Sequence, residues 1–109
     1  MPFGLESVMA SYFVGVYARG PEWLVGKTVL EQPLEAHFTY MEGLESSRIL
    51  VIGGPFGDDE GALAIITAPT PAEARRIFAA DPAVIQGIFR VSVHPWSVSV
   101  AGEVSREPW

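Results

Sequence analysis

The chain predicts an α+β domain with a ferredoxin-like βαββαβ subunit, in which two helices cover one face of an antiparallel sheet. Three observations carry that prediction. Four short segments dense in β-branched and aromatic residues lie at residues 11–17, 49–52, 62–67 and 88–93. Helix-spaced apolar residues separate the first from the second and the third from the fourth. Only a glycine-rich stretch joins the middle two, which makes them a hairpin.

Taken in order, Tyr12, Phe13, Val14, Val16 and Tyr17 read as the first strand, broken by Arg19-Gly20-Pro21. A polar connection with Trp23, Gly26 and Lys27 leads to a helix starting near Pro33, whose missing N–H costs nothing in a first turn. Leu34, His37, Phe38 and Met41 then fall at i, i+3, i+4 and i+7, one helical face that Leu44 extends. The run Ile49-Leu50-Val51-Ile52 is too short for a helix and reads as a buried strand. Residues 53–61 form a loop by composition, and Ala62 opens the next apolar strand. The second helix has the clearest start. Thr70 caps it, Pro71 takes its first position and Glu73 completes a capping box. Ala74, Ile77 and Phe78 supply its buried stripe. Asp81-Pro82 ends it, because a residue before proline avoids the α region. Ile88, Val91 and Val93 build the last strand, closed by His94-Pro95-Trp96. Residues 97–109, with Val98 and Val100 alternating with serines, are a C-terminal extension: an extra edge strand or an arm onto a partner. All of 1–109 is one domain, with its core over about residues 11–96.

Composition narrows the function classes. Apolar residues make up 49% and charged residues 18% of the 109, against an ordinary charged share of about 25%. The strands are apolar at nearly every position, so both faces of the sheet ask for cover, and a homodimer packed sheet to sheet supplies it. Seven basic against thirteen acidic side chains give a net charge of −6, which leaves no basic face for nucleic acid or an anionic membrane. Cysteine is absent, so thiolate chemistry and Cys-ligated zinc are excluded. Residues 1–6 show no basic leader and no apolar run reaches membrane length, so a cytoplasmic protein is expected.

Few residues can carry chemistry. His37 lies on the apolar face of the first helix, where desolvation favours a neutral, base-competent imidazole; the plainer reading is a core histidine satisfied by backbone groups. Asp81 sits where the second helix meets the Asp-Pro turn. It either caps that turn or acts as an acid that orients His37 or binds a substrate hydroxyl. The loop 53–61 lacks the Lys-Ser/Thr of a phosphate loop, and its Asp58, Asp59 and Glu60 repel phosphate. Those carboxylates form an exposed acidic turn or a divalent-cation site, whereas Gly53, Gly54 and Pro55 shape a pocket wall. His37 and His94 have no partner at metal-ligand spacing, so no metal site is expected, and there is no G-x-S-x-G elbow. Trp23, Phe56 and Trp96 line a pocket or belong to core and interface.

Several pieces, in order, resemble the YCII-related (YciI-like) family of dimeric α+β barrels. They are Gly20-Pro21-Glu22-Trp23 with Gly26-Lys27, Glu31-Gln32-Pro33-Leu34 followed by His37, Gly53-Gly54-Pro55-Phe56 with Asp58 and Gly61, Ala80-Asp81-Pro82-Ala83-Val84 with Gly87, and Pro95-Trp96. The resemblance implies a homodimer of ferredoxin-like subunits with a small-molecule pocket between helices and sheet. It implies cofactor-independent acid–base chemistry of the isomerase or dehydrochlorinase type on a small oxygenated ring. His37 matches the histidine at the family's proposed site. Its acidic partner is left between Asp81 and Glu45, because Ser46 stands where some members have an aspartate. Trp23, Gln32, Gly54 and Pro55 are the expected substrate contacts. The alternative is a non-catalytic small-molecule-binding module.

Overall fold

The computed structural model describes residues 11–107. The stretch 1–10, read above as carrying no leader, and residues 108 and 109 of the extension lie outside that range. Strand β1 (Tyr12–Arg19) leads through a 3-10 turn (Val29–Glu31) to helix α1 (Glu35–Ser46). The hairpin β2 (Leu50–Pro55) and β3 (Gly61–Thr67) follows, then α2 (Pro71–Ala79), the short α3 (Pro82–Ile85) and β4 (Phe89–Trp96). The sheet order is β2-β3-β1-β4 with every neighbouring pair antiparallel, so the ferredoxin-like subunit is as expected. No helix among the described residues is long and apolar enough to cross a membrane.

The helices cover one face. Phe13 and Tyr17 of β1 lie in register with Ile66 and Ala62 of β3, and all four are buried. Between them sits Gly15, whose lack of a side chain lets α2 come down on the sheet: a Cβ there would lie 2.3 Å from the Phe78 ring. Ala74, Phe78, Leu34 and Leu44 complete the cover. On the other face Val14, Val16, Leu63 and Ile65 are half-buried, and Ile52 and Trp96 are exposed. The alternation is the ordinary two-residue period of a strand with one side covered.

Three local expectations change. The segment 49–52 is not a buried strand. It begins one residue later, runs on through Gly53-Gly54-Pro55, and lies at the sheet edge with Val51 and Ile52 exposed. Ile49 and Leu50 are partly buried against the core, whereas Val51 sits at the register shift between Leu50 and Ile52, and Ile52, opposite Ile65, lies on the uncovered face. Helix α1 starts after Pro33, with Leu34 at its cap, because Pro33 lies in the extended connection that leaves the 3-10 turn. The Asp-Pro turn opens a further short helix rather than leading straight to the last strand: Asp81 caps α3 and accepts the Ala83 N–H at 2.9 Å. At α2 the Thr70 half of the expected capping box is present, with Oγ1 accepting the Glu73 N–H at 3.1 Å, while the Glu73 carboxylate pairs with Arg76 rather than closing the box.

Candidate functional site

The chemistry-bearing residues gather at the end of the sheet where β1 finishes and β4 begins. Each arrives by a different element. Tyr17 comes from β1, where alternation turns it toward the helices. His37 is in the first turn of α1, and Asp81 stands at the cap between α2 and α3. Phe89 opens β4.

Asp81 is the hub. It is fully buried, and a buried carboxylate requires satisfied lone pairs. Its Oδ1 accepts the Ala83 N–H at 2.9 Å, and its Oδ2 accepts the Tyr17 hydroxyl at 3.2 Å. The same Oδ2 lies 2.7 Å from Nδ1 of His37. A carboxylate oxygen there requires a proton on Nδ1, which leaves Nε2 as the nitrogen able to take one up. Burial, and next the charge of Asp81, push the Tyr17 hydroxyl well above its ordinary range, so it remains a donor. Glu45, the other acidic candidate, is exposed on α1.

His37 is itself buried and boxed by rings. Its imidazole meets Tyr17 edge-on at 5.8 Å between centroids, Phe89 at 5.7 Å and Phe38 at 5.5 Å. Such edge contacts fix ring orientation in a dry setting. The box continues through Phe89 to Trp23, 5.7 Å away. Trp23 is buried, and its Nε1–H has no acceptor. An unmet donor of this kind costs about 1–3 kcal/mol, and it is a group that an incoming oxygen would satisfy. The Arg19 guanidinium lies over the indole ring, 5.1 Å from its centroid.

The loop carrying Trp23 is held from two sides. The buried Gln32 carboxamide accepts the Leu24 N–H at 2.7 Å and donates to the Leu24 carbonyl at 3.0 Å. Asp59 holds it from the β2–β3 loop: its Oδ1 accepts the Val29 N–H at 3.1 Å, and its carbonyl accepts two Arg19 N–H bonds. Glu31, accepting the Thr28 N–H at 2.9 Å, is held below the usual carboxylate range by that bond. The acidic turn is thus a clamp, with Asp59 half-buried rather than solvated. Among the described residues no three His, Asp or Glu side chains converge on one point.

The sequence-predicted residues therefore part company. His37 and Asp81 meet, and Trp23 stands one ring away. Gln32 spends its carboxamide on the Trp23 loop. Pro55 pairs with Ala62, and Ala62 with Tyr17, in one row of the helix-covered side. Gly54 pairs with the outward-facing Leu63, and a Cβ at Gly54 would meet nothing within 4 Å. Sequence reasoning missed Tyr17, Phe89 and Asp59. The available signal was Tyr17 itself, since a tyrosine in an apolar strand needs a partner for its hydroxyl.

A family model described as the YCII-related domain matches residues 12–97. The chain is 28% identical over 68 residues to the uncharacterized protein YjpA of Bacillus subtilis strain 168, covering 62% of this chain and 80% of that protein. Among solved structures it is similar to 5-chloro-2-hydroxyhydroquinone dehydrochlorinase, TftG, from Burkholderia phenoliruptrix AC1100, in complex with 2,5-dihydroxybenzoquinone. That match has a TM-score of 0.62 and 24% identity, over 79% of this chain and 93% of the other. At this identity the likeness is one of fold.

Proposed function

The chain belongs to the YCII-related family, and from that premise we propose a cofactor-independent acid–base enzyme for a small oxygenated cyclic or aromatic molecule, with His37 as proton carrier. The observation that supports this reading is the 2.7 Å contact between His37 Nδ1 and the buried Asp81 carboxylate. Asp81 orients the ring, keeps the proton on Nδ1 and stabilises the imidazolium that forms when Nε2 takes a second proton. The aromatic box keeps water from competing for that proton. Trp23 Nε1–H is the donor for a ligand oxygen, and Gln32 acts by holding its loop. Pro55 closes the β2 end of the wall, while Gly54, on the opposite sheet face, contributes only backbone beside it. Taking a hydroxyl proton, returning one to the carbon that bears chlorine, and then taking a second hydroxyl proton as chloride departs is dehydrochlorination, with HCl lost overall and the ring left as a quinone. Returning the proton to a neighbouring atom is isomerisation. The ring substrate of the similar dehydrochlorinase, 5-chloro-2-hydroxyhydroquinone, is the first probe to try. The reading includes a homodimer built on the uncovered sheet face.

The test is chloride release from 5-chloro-2-hydroxyhydroquinone, with isomerisation of small unsaturated lactones followed by absorbance. His37→Ala lowers kcat/KM by about 10²–10⁴ on whichever probe turns over, the usual worth of a positioned base. Asp81→Asn lowers it too, because the amide no longer stabilises the imidazolium. A His37→Ala protein as active as the native one overturns the role. If 2,5-dihydroxybenzoquinone binds while no probe turns over, the protein is a binding module instead.

A further inference from the structure

The C-terminal extension joins no strand over residues 97–107, and the chemistry still unused lies within the site. Asp81 does not divide its donors evenly. Its Oδ1 takes the Ala83 N–H, whereas its Oδ2 accepts the Tyr17 hydroxyl at 3.2 Å and also faces His37 Nδ1 at 2.7 Å. The Tyr17 ring has little freedom to leave that oxygen. It is buried, and Phe89, His37 and Phe78 pack on it at 5.3, 5.8 and 5.9 Å between centroids. The other polar groups around the pair are engaged elsewhere. Tyr40, from α1, donates its hydroxyl to the Ile77 carbonyl of α2 at 2.7 Å, α3 supplies the Ala83 N–H, and β4 supplies the Phe89 ring. Arg19 is held at the Asp59 carbonyl and over the Trp23 indole.

We propose that Tyr17 is a positioning residue that loosens the hold of Asp81 on the imidazolium, and so keeps His37 Nε2 open as a base to lower pH. Charge decides the direction. With Nε2 free the buried pair carries one negative charge, and with Nε2 protonated it carries none. A hydroxyl donating to Oδ2 stabilises the charged state more than the neutral one, because a hydrogen bond to an unneutralised carboxylate is the stronger. The low dielectric of a buried site enlarges that difference. The proton is taken up by the pair, so the effect belongs to the pair rather than to either residue alone. Tyr17 stays protonated, and therefore a donor, throughout; burial and then the Asp81 charge hold it so. The use of this effect in turnover rests on the acid–base role proposed for His37, whereas the effect on the imidazole does not.

Proton NMR of the ligand-free chain tests it. The chain has two histidines, and His94→Gln identifies the signals of His37. Tyr17→Phe keeps the ring and deletes the hydroxyl, and its His37 imidazole takes up a proton about 0.5–1 pH unit higher than in the native chain. A ring-fluorinated tyrosine at position 17, a stronger donor, moves the step the other way. Loosened packing cannot shift it in opposite directions in two variants that both keep the ring. Tyr40→Phe, which removes a hydroxyl bonded to Ile77 and not to Asp81, is the control and shifts the step by less. The acid limb of kcat/KM, on whichever probe turns over, moves with the NMR step. The role of Tyr17 is overturned if His37 titrates at the native pH in Tyr17→Phe, if it titrates in neither protein, or if Tyr40→Phe has an equal effect. A shifted imidazole in a protein that turns over no probe upholds the role of Tyr17 and removes the enzyme reading instead.

Discussion

Asp81 holds three donors from three parts of the chain: the Tyr17 hydroxyl, His37 Nδ1 and the Ala83 N–H. Removing it orphans all of them in a dry setting, so its effect on stability and on any activity are coupled. Tyr17 separates the two. Its hydroxyl ionises near pH 10 in an unfolded chain, whereas burial, and then the charge of Asp81, keep it neutral to higher pH in the folded one. Above about pH 10 the unfolded state has released a proton that the folded state retains, so stability falls as pH rises; below that both states are neutral and the contribution is constant. Tyr40 shifts in the same direction, from partial burial and then the Asp81 charge, and adds to the decline. Tyr17→Phe therefore shows a flatter decline of the urea midpoint between about pH 9 and 12 than the native chain. Parallel declines in the two proteins would remove Tyr17 as the alkaline-sensitive group.

The elements obey local rules wherever the rule is complete within a few residues. Thr70, Pro71 and Glu73 mark the start of α2, and Asp81-Pro82 its end, because capping and proline sterics act over one turn. The edge position of β2 was not legible: its apolar run looks the same whether one or both sides are covered. How closely elements approach is likewise decided between them. Gly15 reads as an ordinary break in a strand, yet it is where Phe78 rests on the sheet. Gly15→Ala must displace that ring and lowers stability by about 1–3 kcal/mol. At Gly43, in α1, an alanine methyl would meet nothing within 4 Å, and Gly43→Ala raises stability by about 0.5–1 kcal/mol through backbone entropy. Paired urea denaturation tests both signs. A Gly15→Ala protein as stable as the native one would show that Phe78 repacks without cost.

At the scale of the molecule, one sheet face lies under helices and the other does not. Val14, Val16, Leu63 and Ile65 form the centre of the uncovered face, an apolar surface of the kind that marks an interface. Packed against a second copy, the protein has twice the 11.8 kDa chain mass by light scattering. Leu63→Lys, at the centre of that face, returns it to the single-chain mass while leaving the helix-covered core and its circular dichroism intact. A native protein that scatters as a single chain would reject the sheet-face dimer.

The sequence by itself determined the order of elements, the caps of α2 and the presence of a histidine on the apolar face of α1. Periodicity and capping are short-range, and a chain carries them whatever it folds against. The meeting of His37 with Asp81 across 44 positions, and of Tyr17 with Asp81 across 64, was decided only by tertiary structure. So were the clamp by Asp59 and the edge position of β2. Residue types state which groups need a partner when buried, but the sheet order and the angle at which helices cross it select the partner. That selection depends on distances that spacing along the chain does not contain.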